Sequence, residues 1–150
     1  MISKDVIGTK IPSHSADVER GRLRFFAKAI GESDPAYVDL DAAKAAGHPD
    51  LLVPPTFLFC LDGERTDGFS LIDLLGIDIR RVLHGEQSFT YHAPIHAGDQ
   101  LAFEGEITDV YSKKGGALEF VVRTTEVTRN GELVAELTNS LVVRNPEARK

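Results

Sequence analysis

The stretch PPTFLFCL, residues 54–61, decides the fold. Proline is tolerated in a first helical turn, where its missing N–H would find no partner anyway and its fixed φ already suits the helix. Thr56 to Leu61 continues that helix with apolar side chains all round. A helix with no polar face offers nothing to water, so it is expected to be enclosed on every side. The rest of the chain must supply the walls.

Those walls lie downstream of residue 80, where the hydrophobic period changes from 3.6 to 2. Val82–Tyr91 reads as a strand with Phe89 and Tyr91 on one face and Ser88 and Thr90, with His92 after them, on the other. Leu101–Val110 puts Leu101, Phe103, Gly105 and Ile107 on one face. Lys114-Gly115-Gly116 is a turn into a strand over Ala117–Val127, and Asn130-Gly131 is the strongest hairpin signal in the chain, leading into Leu133–Val143. Long strands joined by tight turns make an antiparallel meander with one apolar face to cover. The expected class is therefore α+β: a curved antiparallel sheet wrapped around one buried helix.

Upstream, Val6–Pro12 reads as a short strand. Leu23, Phe26, Ala27 and Ile30 mark one face of a helix that Asp17 can cap and Gly31 can end. A second short helix spans Asp41 to Ala46, capped by Asp41 and stopped by Gly47, and a further helical signal runs from Ser70 to Leu75. Between the first two lies GESDPAY, residues 31–37, a turn-rich insert. Residues 144–150 lack periodicity and read as a loose tail.

Composition narrows the class of function. With 150 residues, one domain is the default, and 42% hydrophobic with 27% charged residues is ordinary for a folded soluble chain. The net charge of −6 argues against nucleic acid, which needs a basic face. One cysteine excludes an internal disulfide or a structural zinc cluster, and no His or Cys spacing matches a zinc motif, so no metal is expected. Leu51–Leu61, the longest apolar-rich stretch, is broken by Pro54-Pro55 and is far too short to span a bilayer; with no apolar signal core at the N-terminus, the expected location is cytoplasmic.

Three blocks then carry a specific resemblance: ERGRLRFFAKAIGESDPAYVD (19–39), AGHPDLLVPPTF (46–57) and LHGEQSFTYHAPIHAGDQL (83–101). Together they resemble the MaoC-like dehydratases and (R)-specific enoyl-CoA hydratases, in particular the N-terminal-type, FAS1-dehydratase-like branch, over about residues 5–143. The resemblance implies a hot-dog fold. It also implies hydration of trans-2-enoyl thioesters, or the reverse, on coenzyme A or acyl carrier protein, with no other cofactor. Active relatives share G-D-x-N-P-[LIV]-H, whose Asp and His activate one water; syn addition needs one group to take a proton and one to deliver it. Here Gly31 and Pro35 match, but Glu32 stands for the Asp, Asp34 for the Asn and Tyr37 for the His. Tyrosine, with an ordinary pKa of about 10, is a poor base at neutral pH but can donate a hydrogen bond.

On that resemblance Glu32 and Tyr37 are the candidate catalytic pair, and Asp34, Pro55, Thr56, Phe57, His84 and Glu86 are candidate substrate-binding residues. The amides near Thr56 and Phe57 would face the thioester carbonyl. His84 and Glu86, two apart on a strand, are expected on one face. Arg80 and Arg81 could meet the phosphates of coenzyme A or simply be a solvated junction. Long edge strands need a partner, so a homodimer or a heterodimer with a second hot-dog subunit is expected. Three functions follow: a substrate-binding subunit lacking the Asp/His pair, an active homodimer with a retuned Glu/Tyr pair, or a non-catalytic acyl-CoA-binding module. A thioesterase would require Asp62 or Glu64 as its carboxylate.

Overall fold

The alternating segments beyond residue 80 pair as their period requires. The computed structural model describes residues 1–145. Strands β1 (Lys10–Asp17), β2 (Val82–Tyr91), β3 (Gln100–Lys113), β4 (Leu118–Arg129) and β5 (Glu132–Arg144) form one antiparallel sheet in the order β1-β3-β4-β5-β2. Strands β3, β4 and β5 are the expected meander. Asn130 and Gly131 have φ of +52° and +81°, as a two-residue turn with both centres left-handed demands. Strands β1 and β2 take the two edges.

The sheet's inner face closes over the helix that the sequence singled out. Leu58 and Leu61 of α3 (Leu58–Asp62) are fully buried among Leu101, Phe103, Val127 and Leu137. Helix α1 (Arg20–Ile30) adds Leu23 and Ala27 and ends at Gly31, whose φ of +72° lets the Glu32 N–H reach back to the Ala27 carbonyl at 2.9 Å. Helices α2 (Leu40–Ala45) and α4 (Leu71–Leu74) complete the helical layer.

Several local expectations are corrected. Pro54–Phe57 is a turn rather than helix, so α3 has only five residues. Nor is it enclosed all round: Phe59 remains 40% exposed and Cys60 is half-buried, because the sheet covers one side of α3 and leaves the side toward β2 open. Residues 4–6 form a single 3-10 turn, and the first strand runs on to Asp17, which pairs with Gln100 and so does not cap α1. Asp39, not Asp41, caps α2 by accepting the Ala42 N–H at 2.8 Å. Arg144 still pairs with Leu118, and the Asn145 N–H donates to Ala117 at 2.9 Å; residues 146–150 of the expected tail lie outside the described residues.

Candidate functional site

The insert after α1 builds a small overhang. Asp34 accepts the Ala36 N–H at 2.9 Å and so caps the turn Pro35–Tyr37. Ala36 is buried, and its carbonyl accepts the Leu52 N–H at 3.1 Å, which docks the overhang beside the segment leading into α3. Tyr37 lands in a pocket of about 320 Å³ shared with Val53, Pro55, Tyr91 and Pro94. The Tyr91 hydroxyl donates to the Pro55 carbonyl at 2.6 Å, leaving Tyr37 as the pocket phenol that no protein acceptor engages among the described residues.

Burial pushes the Tyr37 phenol above its ordinary pKa, and the carboxylates of Glu32 and Asp34 push it further. Burial raises Tyr91 as well, with Tyr37 adding to the effect. Both therefore stay protonated at neutral pH and act as donors, not bases. Glu32 does not line the pocket: its Oε1 accepts the Ser33 and Asp34 N–H groups, each at 2.9 Å, which holds the side chain along its own backbone. The two acids of the overhang are engaged by their own backbone.

A second cavity, an apolar trough of about 540 Å³, adjoins the first where Pro55 gives way to Thr56. Phe26 of α1, Phe59 and Cys60 of α3, and His84, Gln87 and Phe89 of β2 line it. His84 meets Phe59 edge-on at 5.1 Å. Buried Asn139 on β5 donates to Gln87 Oε1 at 3.0 Å and to His84 Nδ1 at 3.3 Å, which puts the ring proton on Nε2.

The pairing of His84 with Glu86 is overturned. His84 stands opposite Leu141 and Glu86 opposite Ser140, two adjacent residues of β5 that point to opposite faces. Gly85 is the extra residue of a bulge, which reverses the alternation. It has to be glycine: a Cβ there would lie 2.6 Å from Val142 Cγ2 and 3.0 Å from the Ser140 carbonyl oxygen. Glu86 still reaches the trough's rim. Phe57 is core, packed on Phe26 with ring centres 5.0 Å apart, and its N–H is committed to the Pro54 carbonyl at 2.9 Å, so it offers no amide to a thioester.

Other candidates are engaged elsewhere. Asp62 pairs with Arg123 and Glu64 with Arg22, which leaves neither as a free carboxylate for thioester hydrolysis. His92 Nε2 meets Glu136 at 2.7 Å, and His48 Nδ1 meets His96 Nε2 at 3.1 Å. Burial first, and His48 second, hold the His96 pKa below its ordinary value. Among the described residues, no three His, Cys, Asp or Glu side chains are grouped to hold a metal, and no helix is long and apolar enough to cross a membrane. Sequence reasoning missed Tyr91, Gln87 and Asn139 as site residues. Tyr91 was within reach, since its strand parity already placed it inward beside Phe89.

Comparison with known proteins agrees with this fold. The family model described as FAS1-like, dehydratase domain region matches residues 5–137. A UPF0336 protein of Streptomyces griseus is 38% identical, covering 91% of this chain and 90% of its own. Another, from a Parafrankia species, is 42% identical and covers 95% of each chain. Among solved structures, a chain of the HadBC (3R-hydroxyacyl-ACP dehydratase) complex from Mycobacterium tuberculosis superposes with a TM-score of 0.78 at 27% identity, covering 93% of this chain and 99% of that one. The (R)-hydratase of A. caviae involved in PHA biosynthesis superposes with a TM-score of 0.69 over 93% of this chain and 96% of that one; at 19% identity the likeness is one of fold. The hot-dog architecture expected from the three sequence blocks therefore holds.

Proposed function

The chain belongs to the family of FAS1-like dehydratase domain regions, and on that premise we propose that it is the substrate-binding subunit of an acyl-thioester hydratase-dehydratase, completed by a second hot-dog chain that carries an intact Asp/His pair. One observation supports the reading: the overhang places a hydrogen-bond donor, Tyr37, in a pocket next in the chain to an apolar trough, while Glu32 is held to its own backbone through Oε1 and lines neither cavity. Such a site can hold an acyl chain and polarise a carbonyl. Taking a proton from water requires a group that this chain does not present there.

In this reading the acyl chain lies along Phe26, Phe59 and Phe89, and the Tyr37 phenol donates to the thioester carbonyl. The partner's carboxylate and imidazole take the proton of water as its oxygen bonds to C3, and return a proton to C2. The partner lies along β2, an edge strand of ten residues whose outward groups are unpaired among the described residues. Support comes from a structurally similar chain that is part of the HadBC complex, a 3R-hydroxyacyl-ACP dehydratase. The carrier is coenzyme A or acyl carrier protein.

The test is hydration of crotonyl-CoA by this chain alone and together with a hot-dog partner bearing G-D-x-N-P-[LIV]-H. Turnover is expected only in the pair, falling on Tyr37→Phe through loss of one carbonyl donor, by up to about 100-fold. Turnover by the chain alone that disappears in Glu32→Ala would establish the active homodimer instead. Acyl-CoA binding without turnover in any pairing would establish the non-catalytic binding module.

A further inference from the structure

At the His84 end of the apolar trough, a relay of side chains fixes a hydrogen-bond donor. The relay begins at a group with no choice of role. The Ser88 carbonyl can only accept, so Gln87 turns its amide nitrogen toward it, at 3.4 Å. Gln87 Oε1 then faces Asn139, whose amide nitrogen donates to it at 3.0 Å. The same nitrogen meets His84 Nδ1 at 3.3 Å, where only a bare ring nitrogen can accept. The ring proton therefore sits on Nε2, which no acceptor engages among the described residues.

An apolar residue at position 139 would fill that face of β5 more simply. Asn139 is only 6% exposed, and Leu137 and Leu141 on either side of it pack into the two apolar clusters of the core. A buried amide is tolerated there because Gln87 and His84 engage its N–H groups. Its effect is to set the orientation and tautomer of His84, whose ring also packs T-shaped against Phe59 at 5.1 Å.

What fills the trough decides what that donor is worth. His84 is exposed, so water can satisfy Nε2–H while the trough is open to solvent. A saturated hydrocarbon chain lying against Phe59 and Phe89 would displace that water and leave the donor stranded. A chain with an oxygen at the level of His84 would engage it. That oxygen should be uncharged. Among the described residues lining the trough there is one carboxylate, Glu86, and no Lys or Arg, so a second carboxylate would be repelled. Its place along the chain follows from β2. Tyr91 lines the Tyr37 pocket, Phe89 the near part of the trough and His84 its far part. At the usual rise per strand residue, Phe89 and His84 are roughly 15 Å apart, which puts the oxygen in the outer half of a long chain.

We propose that His84, oriented by Asn139, selects acyl thioesters whose chain carries a keto or hydroxyl oxygen in its outer half over plain saturated chains. The nature of the ligand rests on the thioester reading above; the donor and its orientation do not. The test is calorimetric titration of the purified chain with dodecanoyl-N-acetylcysteamine and with a series in which one ketone is walked along the outer half of that chain. At least one ketone is expected to bind about tenfold more tightly than the plain chain. His84→Phe keeps a ring against Phe59 but removes the donor; it should erase the preference by weakening the ketone and tightening the plain chain. His84→Gln returns an N–H near the place of Nε2 and should restore part of the preference. Nitrogen NMR of the ring at mildly alkaline pH, where imidazole is neutral, should show the Nε2–H tautomer, with the Nε2 resonance moved by the ketone and not by the plain chain. Equal affinity across the series, a preference that survives His84→Phe, or the Nδ1–H tautomer overturns the proposal and leaves the thioester reading in place. If no thioester binds, that reading fails, and long-chain ketones without a thioester decide the donor: His84-dependent binding upholds it, and its absence overturns it.

Discussion

Asp62→Asn separates a structural role for the end of the core helix from a catalytic one. Asp62 closes α3 with a side chain only 6% exposed, and its partner Arg123 reaches in from β4 at 18%. Arg123 Nε is buried and already lacks a hydrogen-bond partner. Removing the carboxylate would strand a guanidinium that has little other compensation. Breaking a buried pair from one side costs about 3–5 kcal/mol, with the lower end expected here because asparagine keeps one acceptor. In a chain of this length each kcal/mol lowers the melting temperature by about 2–4 °C, so a drop of about 10 °C is expected. Asp62→Leu with Arg123→Met removes both charges together and should recover most of the loss, since well-packed apolar groups replace such pairs at little cost. Circular-dichroism melts of the single and double variants complete the cycle. A single variant within about 1 kcal/mol of the parent would refute the reasoning. If it also lost a thioester-hydrolysing activity, Asp62 would be a catalytic carboxylate after all.

Other outcomes follow from the same geometry. Gly85→Val should destabilise the fold by about 1–3 kcal/mol in denaturant titration, because its Cβ would sit 2.6 Å from Val142 Cγ2; an unchanged midpoint would show that the bulge can relax. The His96 pKa is lowered in the folded state, so the unfolded chain binds the proton more readily. Its contribution to stability is full above about pH 6.5 and is lost as pH falls through the depressed folded value. His96→Gln should flatten the melting-temperature profile between about pH 7 and pH 5, and an equal slope in the variant would assign that dependence to other groups. Phe59→Glu, at a side chain 40% exposed on the trough's rim, should weaken pairing with the proposed second hot-dog chain in light scattering of the mixture while changing the chain's own stability by about 0.5 kcal/mol or less; an unaltered mass of the pair would put the partner on another face.

The elements that local sequence could specify are those whose signals lie within a few residues. Asn130-Gly131 forces a tight hairpin because both residues tolerate positive φ, Gly31 ends α1 for the same reason, and the alternation from Leu101 to Ile107 settles which face of β3 is buried. The apolar run near Pro55 likewise had to enter the core, and the blocks around it were enough to identify the family. Other features depended on residues far away in the chain. The bulge at Gly85 exists because Ser140 and Val142 crowd it from β5, and it reverses the side-chain alternation that periodicity implied. His84 takes its orientation from Asn139, 55 residues on, and the Tyr91 hydroxyl is spent on Pro55, 36 residues back. Glu32 turns onto its own backbone through Oε1, a contact that periodicity does not encode. Periodicity encodes which side of an element avoids water. It carries no information about which distant group will satisfy a given donor, and that choice decides whether a carboxylate or a phenol is left free to act.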